Sequence, residues 1–401
     1  MTKSKNQNEK RVPELRFKGF SDDWELFKFS TFVKRANKTS NSDSLPKVEF
    51  EDIVAGEGRL NKDVSHKFDN RKGIMFNNNN ILYGKLRPYL KNWLLPDFKG
   101  IALGDFWVLE PIDVDITFLY YLIQSKKFQK VANDTSGTKM PRSDWKKVSN
   151  TYFFIPKIEE QKLIGSYIKN LDNAITLYQQ KLDKLKLLKK AYLQHMFPEK
   201  DEVVPRLRFV YFNYEWEQCK LRDVSTIVSG GTPDTNNIAF WNGDINWFTP
   251  AEIGSERYVS SSLRKITKLG LEKSSAKWLP EGTILFTSRA GIGKTAILSR
   301  SATTNQGFQS IVPKDDILDS YFIFSMTDYL KKYAEKVGAG STFTEVSTKQ
   351  MSSIEISIPN LKEQIKIGSF FMLIDDLIVL IDERESTIIN IKQSLLDKMF
   401  V

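Results

Sequence analysis

The chain has 401 residues with one cysteine and two histidines, and its 59 Lys plus Arg outweigh 49 Asp plus Glu to give a net charge of +10. That length passes the point at which one hydrophobic core stops growing, so two cores are expected. Cys219, His66 and His195 are too few for a zinc cluster, a Cys/His nucleophile pair or an internal disulfide, and the positive charge favours an anionic partner such as nucleic acid.

The N-terminus is polar and basic, without the apolar stretch of a secretory signal, and no run of 18 apolar residues occurs. A cytoplasmic protein without a membrane span is therefore expected. This arm, residues 1–20, contains Val12-Pro13-Glu14-Leu15-Arg16-Phe17. A first globular module at 21–155 opens with Trp24-Glu25 and carries β-like runs at 81–83, 106–109 and 152–155, plus a helix near 116–130. Its four asparagines at 77–80 read as a solvated turn. Residues 156–200 read as one long helix, with His195 a surface or capping residue near its end. A charged, proline-bounded stretch at 198–205 leads into a linker at 201–215 that contains Val204-Pro205-Arg206-Leu207-Arg208-Phe209. A second module at 216–357 opens with Trp216-Glu217, with Cys219 expected to be a small packed residue. It has β-like runs at 284–286, 310–312 and 354–358 and a helix near 318–336. Residues 358–401 form a second long helix.

The two halves repeat. Residues 155–197 and 358–400 align without a gap over 43 positions at an offset of 203, with 14 identities, and the two openings repeat at an offset of 192. A period of about 200 residues is too long for a solenoid or propeller unit, so each copy is a domain plus a connector. The fold class expected is α+β (mixed α/β): two globular domains and two long helices that pair as a coiled coil.

The helices share a 4-3 apolar rhythm. In the first the seam is Ile164, Ile168, Leu171, Ile175, Tyr178, Leu182, Leu185, Lys189, Tyr192 and Met196. In the second it is Ile367, Phe371, Ile374, Ile378, Ile381, Glu385, Ile388, Lys392, Leu395 and Met399. Both seams carry a lysine at the same place. Lys189 and Lys392 either set the register of the pair or reach out to water along a widened helix surface. The first helix is net positive and the second net negative, and each can span ~58 Å at ~1.5 Å per residue.

Gly291-Ile292-Gly293-Lys294-Thr295 imitates the end of a phosphate-binding loop, but a P-loop needs glycine six residues before its lysine, and Ser288 stands there. The better use of Ser288, Arg289, Lys294 and Thr295 is contact with DNA phosphates and base edges from a flexible loop after a strand. Lys85, Arg87 and Tyr89 occupy the matching place in the first module. Asn305 and Gln306 could read adenine through their amides, and Lys139, Arg142, Ser341 and Thr342 stand in two further matched loops. For each of these residues the plain alternative is a solvated loop side chain.

With those residues in view the chain resembles the DNA sequence specificity subunit of Type I restriction–modification enzymes. The likeness rests on the V-P-x-L-R-F openings followed by Trp-Glu, the runs at 81–89 and 287–297, Asn305-Gln306-Gly307-Phe308, and the paired I-P-x-x-x-E-Q-x-x-I-G-S segments at 155 and 358. It implies two target recognition domains separated by two long antiparallel coiled-coil helices with pseudo-twofold symmetry. Each domain would read one half of a split double-stranded DNA target, and the helices would fix the gap and dock two modification subunits that methylate adenine. Restriction subunits would complete the enzyme. S-adenosylmethionine, ATP and magnesium would belong to those partners, and this chain would hold no cofactor and catalyse nothing. No methyltransferase Asn/Asp-Pro-Pro-aromatic motif, P-loop or Pro-Asp…Glu-x-Lys nuclease set is present. A stand-alone DNA nuclease or NTPase and a coiled-coil adaptor without sequence preference are the competing expectations.

Overall fold

Two helices of 38 residues each, Ile158–His195 and Leu361–Lys398, dominate the computed structural model, which describes residues 12–134, 139–199, 202–289, 291–338 and 345–401. Acidic residues in their first turns, Glu159, Glu160 and Glu363, complement the helix dipole. The chain divides into two units, Met1–Gln180 with Asp382–Val401, and Lys181–Ile381. Each unit therefore holds one globular module, the start of the helix that follows it, and the last part of the other helix.

The modules are α+β and share a scaffold. A two-stranded antiparallel clamp joins the strand entering each module to the strand leaving it. Glu25–Lys28 pairs with Tyr152–Ile155 in the first, and Glu217–Lys220 with Glu355–Ile358 in the second. Inside the first clamp an antiparallel sheet runs Val33–Arg35, Phe106–Pro111, Ile81–Gly84, Trp93–Leu94. Its second sheet runs Thr39–Ser40, Gly73–Phe76, Gly100–Ala102, Lys47–Val48, with the last pair parallel. In the second module the larger sheet is Ser225–Ser229, Gln309–Pro313, Ile284–Phe286, Thr295–Leu298, Tyr258–Val259. The smaller is Arg264–Ile266, Trp241–Phe248, Thr303–Thr304.

The helix expected near 116–130 is two, Ile116–Leu122 and Lys126–Ala132, because Ser125 leaves helical geometry and its hydroxyl caps the second through the Phe128 N–H. The one near 318–336 is likewise split into Ser320–Ser325 and Thr327–Gly338. The asparagine tract does turn, but Asn80 is buried and its Oδ1 accepts the Asn77 N–H. Asn77, Asn78 and Asn79 are exposed, as a solvated turn requires, and Asn80 turns inward at the entry to a fully buried strand. Cys219 is half-buried, and burial pushes its thiol up to about 11. His195 is exposed on the last helical turn, and its carbonyl accepts the Leu207 N–H.

The residues that repeat are the ones that weld each helix to its module. Arg16 grips the buried Glu160 with two hydrogen bonds of 2.7 and 2.8 Å, and Arg208 grips Glu363 with two of 2.7 Å. Gln161 donates to the Pro156 carbonyl and accepts the Asp115 N–H; Gln364 does the same with Pro359 and Asp319. A Cβ on Gly165 would lie 2.7 Å from the Phe118 nitrogen, and one on Gly368 would lie 2.6 Å from an Asp319 carboxylate oxygen, so only glycine admits these approaches. Trp24 packs edge-on against Phe118, which also meets Phe400; Trp216 and Phe197 pack on Phe322 in the same way.

Every position of both seams is buried or half-buried. The lysines within them do not reach out to water. Lys392 lies 2.6 Å from Asp172, and Lys189 lies 2.6 Å from Asp375. Each aspartate also accepts a tyrosine hydroxyl from its module, Tyr121 at 2.8 Å and Tyr321 at 2.9 Å. In the second unit Tyr192 meets Phe370 while Lys189 meets Asp375, so partners advance along one helix as they retreat along the other. The segments there run antiparallel.

Candidate nucleic-acid interface

The central strands Ile81–Gly84 and Ile284–Phe286 are buried throughout, so the chain leaving each must find new partners for its backbone. It finds equivalent ones. Lys85 donates its N–H to the Asp105 carbonyl and accepts the Ser143 N–H; Ser288 donates to Gly307 and accepts from Val346. In the first module Arg87 also donates to the Pro141 carbonyl, and Leu86 bridges to Arg142. Loops distant in sequence thus meet at the end of the same strand in both modules. The structure brings together the predicted loops at 84–89 and 139–142, and those at 287–295 and 305–307. Ser341 and Thr342 lie outside the described residues.

At the first of these ends Lys85, Arg142 and Asp105 converge. The Asp105 carboxylate accepts from the Arg142 guanidinium at 3.0 and 3.2 Å and lies 3.5 Å from the Lys85 ammonium. Burial is the largest single influence and would raise this carboxyl, but the hydrogen bonds and charges of Arg142 and Lys85 together outweigh it and hold the group below the usual carboxylate range. Arg87 is exposed at a left-handed φ of 47° in front of the Pro88–Leu90 turn, Tyr89 is 57% exposed, and Lys139 is exposed.

At the second end the chain returns as an antiparallel strand, Ile284–Phe286 pairing with Thr295–Leu298. Thr287 donates its hydroxyl to the Gly291 carbonyl and accepts the Lys294 N–H, and Phe286 pairs with Thr295 across the turn. Gly291 and Gly293 take φ values of +105° and +86° that favour glycine, and Ile292 between them is buried. A P-loop leads from a strand into a helix, whereas this segment leads into an antiparallel strand, so the declined nucleotide motif has no topological support either. Lys294 is exposed and Arg289 half-buried, and among the described residues neither has an acidic partner.

One expectation is corrected, and two gain a local setting. Ser288 is fully buried, so its hydroxyl cannot reach a base edge. Asn305 spends its carbonyl oxygen on the Gly307 N–H, as a turn-former does, which leaves only its amide donor. Gln306 is exposed and its Oε1 accepts the Thr232 hydroxyl at 2.5 Å, so in the free chain both amide oxygens are engaged within the protein.

The Gln306 contact leads to a surface that sequence reasoning missed. Thr232 belongs to a polar loop at 230–237 held by two indoles, with Trp247 donating to the Gly231 carbonyl and Trp241 to the Asp234 carbonyl. The Arg264 guanidinium stacks 3.7 Å from the Trp241 ring. In the first module the fully buried Lys47 plays the indole's part, donating to the carbonyls of Ser42 and Leu45 and so fixing the loop between them. Beside it Lys62 and Lys67 pair with the buried Asp52, and Lys67 and Arg71 with Glu49. No signal in the chain announced these partners, which are scattered over tens of residues. Among the described residues there is no His/Cys/Asp/Glu cluster fit for a metal ion, and no helix is long and apolar enough to cross a membrane.

The site is thus a duplicated α+β module with basic loops gathered at equivalent strand ends, fused to long seam-forming helices. The family model for the Type I restriction modification DNA specificity domain matches residues 21–187 and 213–390, and the chain belongs to that family. It is 37% identical over 167 residues to the MjaIX specificity subunit of Methanocaldococcus jannaschii, a match covering 41% of this chain and only 39% of that subunit. Longer matches are the HindI specificity subunit of Haemophilus influenzae, at 22% identity over 84% of this chain and 90% of that one, and the MjaVIII specificity subunit of Methanocaldococcus jannaschii, at 24% over 98% and 95%. The fold is that of the Type I S subunit from M. genitalium, with a TM-score of 0.64 at 14% identity over 97% of this chain and 99% of that one. A chain from a structure concerned with complex assembly and conformational transition of the type I R-M system gives 0.55 at 19% identity over 94% and 97%.

Proposed function

We propose that this chain is the DNA specificity subunit of a Type I restriction–modification system, and that each module reads one half of a split, asymmetric target in double-stranded DNA. The observation that carries the reading is unequal duplication. Both modules hold their strand-end loops by the same backbone bonds, yet the side chains so placed differ: Lys85 with Arg142 in one, Arg289 with Lys294 in the other. Phosphate contacts fix register, and Arg or Lys reaching base edges supplies sequence.

In this reading the long helices are spacers that set the unread gap. Two modules facing one side of a duplex read sites ~34–36 Å apart, within reach of a 38-residue helix at ~1.5 Å per residue. Two modification subunits dock on the helices, one per repeat. Leu177 and Leu380 are repeat-equivalent and identical, as are the aliphatic Leu188 and Ile391 in kind, and all four are between 44 and 51% exposed. Packing within the chain does not account for apolar residues repeated on an exposed face, and a partner bound twice does. Methylation of adenine with S-adenosylmethionine, and ATP- and magnesium-dependent restriction, belong to the partner subunits, while this chain binds without catalysing.

Selection of duplexes from a random pool by the full chain tests the reading. The enriched sequences should contain two short specified blocks at a fixed separation; enrichment without any shared block would leave only a non-specific adaptor.

A further inference from the structure

Asp105 stands on the short turn between Gly100–Ala102 and Phe106–Pro111, fixed by Gly104 at φ +85° and by its own carbonyl, which accepts the Lys85 N–H. Its carboxylate is 27% exposed and faces Lys85, 30% exposed, and Arg142, 50% exposed. A cation on a loop tip with no partner binds any phosphate it meets, and that term is the whole of non-specific DNA affinity. Here both cations share one anion that is placed to repel phosphates. Ion pairs this exposed contribute about 0–1 kcal/mol, so they exchange readily when a better partner arrives. The second module lacks the device: Gly307 holds the backbone position of Asp105, and among the described residues Arg289 and Lys294 face no carboxylate.

We propose that Asp105 is a specificity-determining residue of the first module, which keeps Lys85 and Arg142 from phosphates and yields them to base-edge acceptors. The carboxylate can itself take a hydrogen bond from a cytosine amino group once the cations have moved. Discrimination in this half-site thus comes partly from a penalty on wrong contacts. The inference rests on the DNA-reading function proposed above.

The test uses the full chain and four duplexes: the selected target, the target scrambled in each half separately, and an unrelated sequence. Binding is followed by fluorescence anisotropy across a salt series. Asp105→Asn should bind the unrelated duplex about tenfold more tightly, with a salt dependence steeper by about one released counterion. Its preference for the intact first half-site should fall about tenfold, and its preference in the other half should not change. Asp105→Glu, which keeps the charge, should behave as the parent chain. Unchanged discrimination by Asp105→Asn, or an equal loss of affinity for every duplex, would overturn the proposal while leaving the DNA-reading function standing. A parent chain without preference among the four duplexes would overturn both.

Discussion

Asp172 and Asp375 are repeat-equivalent, and each accepts from a lysine of the other helix and a tyrosine of its own module. The identity of such residues was plain in the repeat; their work was not. Glu160 and Arg16 are 144 residues apart, and nothing local says that one buried carboxylate will be held by the other's guanidinium. The loop residues behaved in the opposite way. Lys85, Arg289 and Lys294 were legible as basic residues after apolar strands and Arg142 as part of a further matched loop, but Ser288 is buried, its backbone held between Gly307 and Val346. Asp105 had no signal at all, being one acidic residue among many. At this scale the expected outcome is separable damage. Lys85→Ala should weaken binding through the half read by the first module and Arg289→Ala through the other, each by about 1–3 kcal/mol against the matched half-site if it contacts a base. Affinity measured with half-scrambled duplexes checks this, and equal loss in both halves would count against two independent readers.

The elements show why the helices repeat more closely than the modules. A helix that must receive Arg, hold a Gln between two backbone groups and admit a neighbouring helix end over a glycine has little freedom at those positions. The strand clamps and short capped helices of the modules ask only for apolar patterning and an N-cap, which Asp115 and Asp319 supply. The sequence therefore revealed the long helices and most central strands, whose periodicity is local. It blurred the paired short helices, because their break at Ser125 is one capping residue inside a continuous apolar pattern. Gly165→Ala should destabilise the first unit by about 1–3 kcal/mol, since the added methyl meets backbone and not a flexible side chain. Thermal unfolding of the full chain checks it, and an unchanged transition would mean that the approach over Gly165 is not tight.

For the molecule as a whole, duplication of the frame and divergence of the loop tips are what the proposed reading of two different half-sites requires. A heptad inserted at matching places in both long helices adds ~10 Å at ~1.5 Å per residue, about three base pairs, so the unread gap should lengthen by that amount with the half-sites unchanged. The most direct measurement is a map of methylated adenines in DNA from cells that co-express this chain with its modification subunit. We predict two short specified blocks separated by a gap of fixed length, with one adenine modified in each block. Methylation without a fixed split motif, or a motif that Lys85→Ala and Arg289→Ala alter in the same half, would contradict the account.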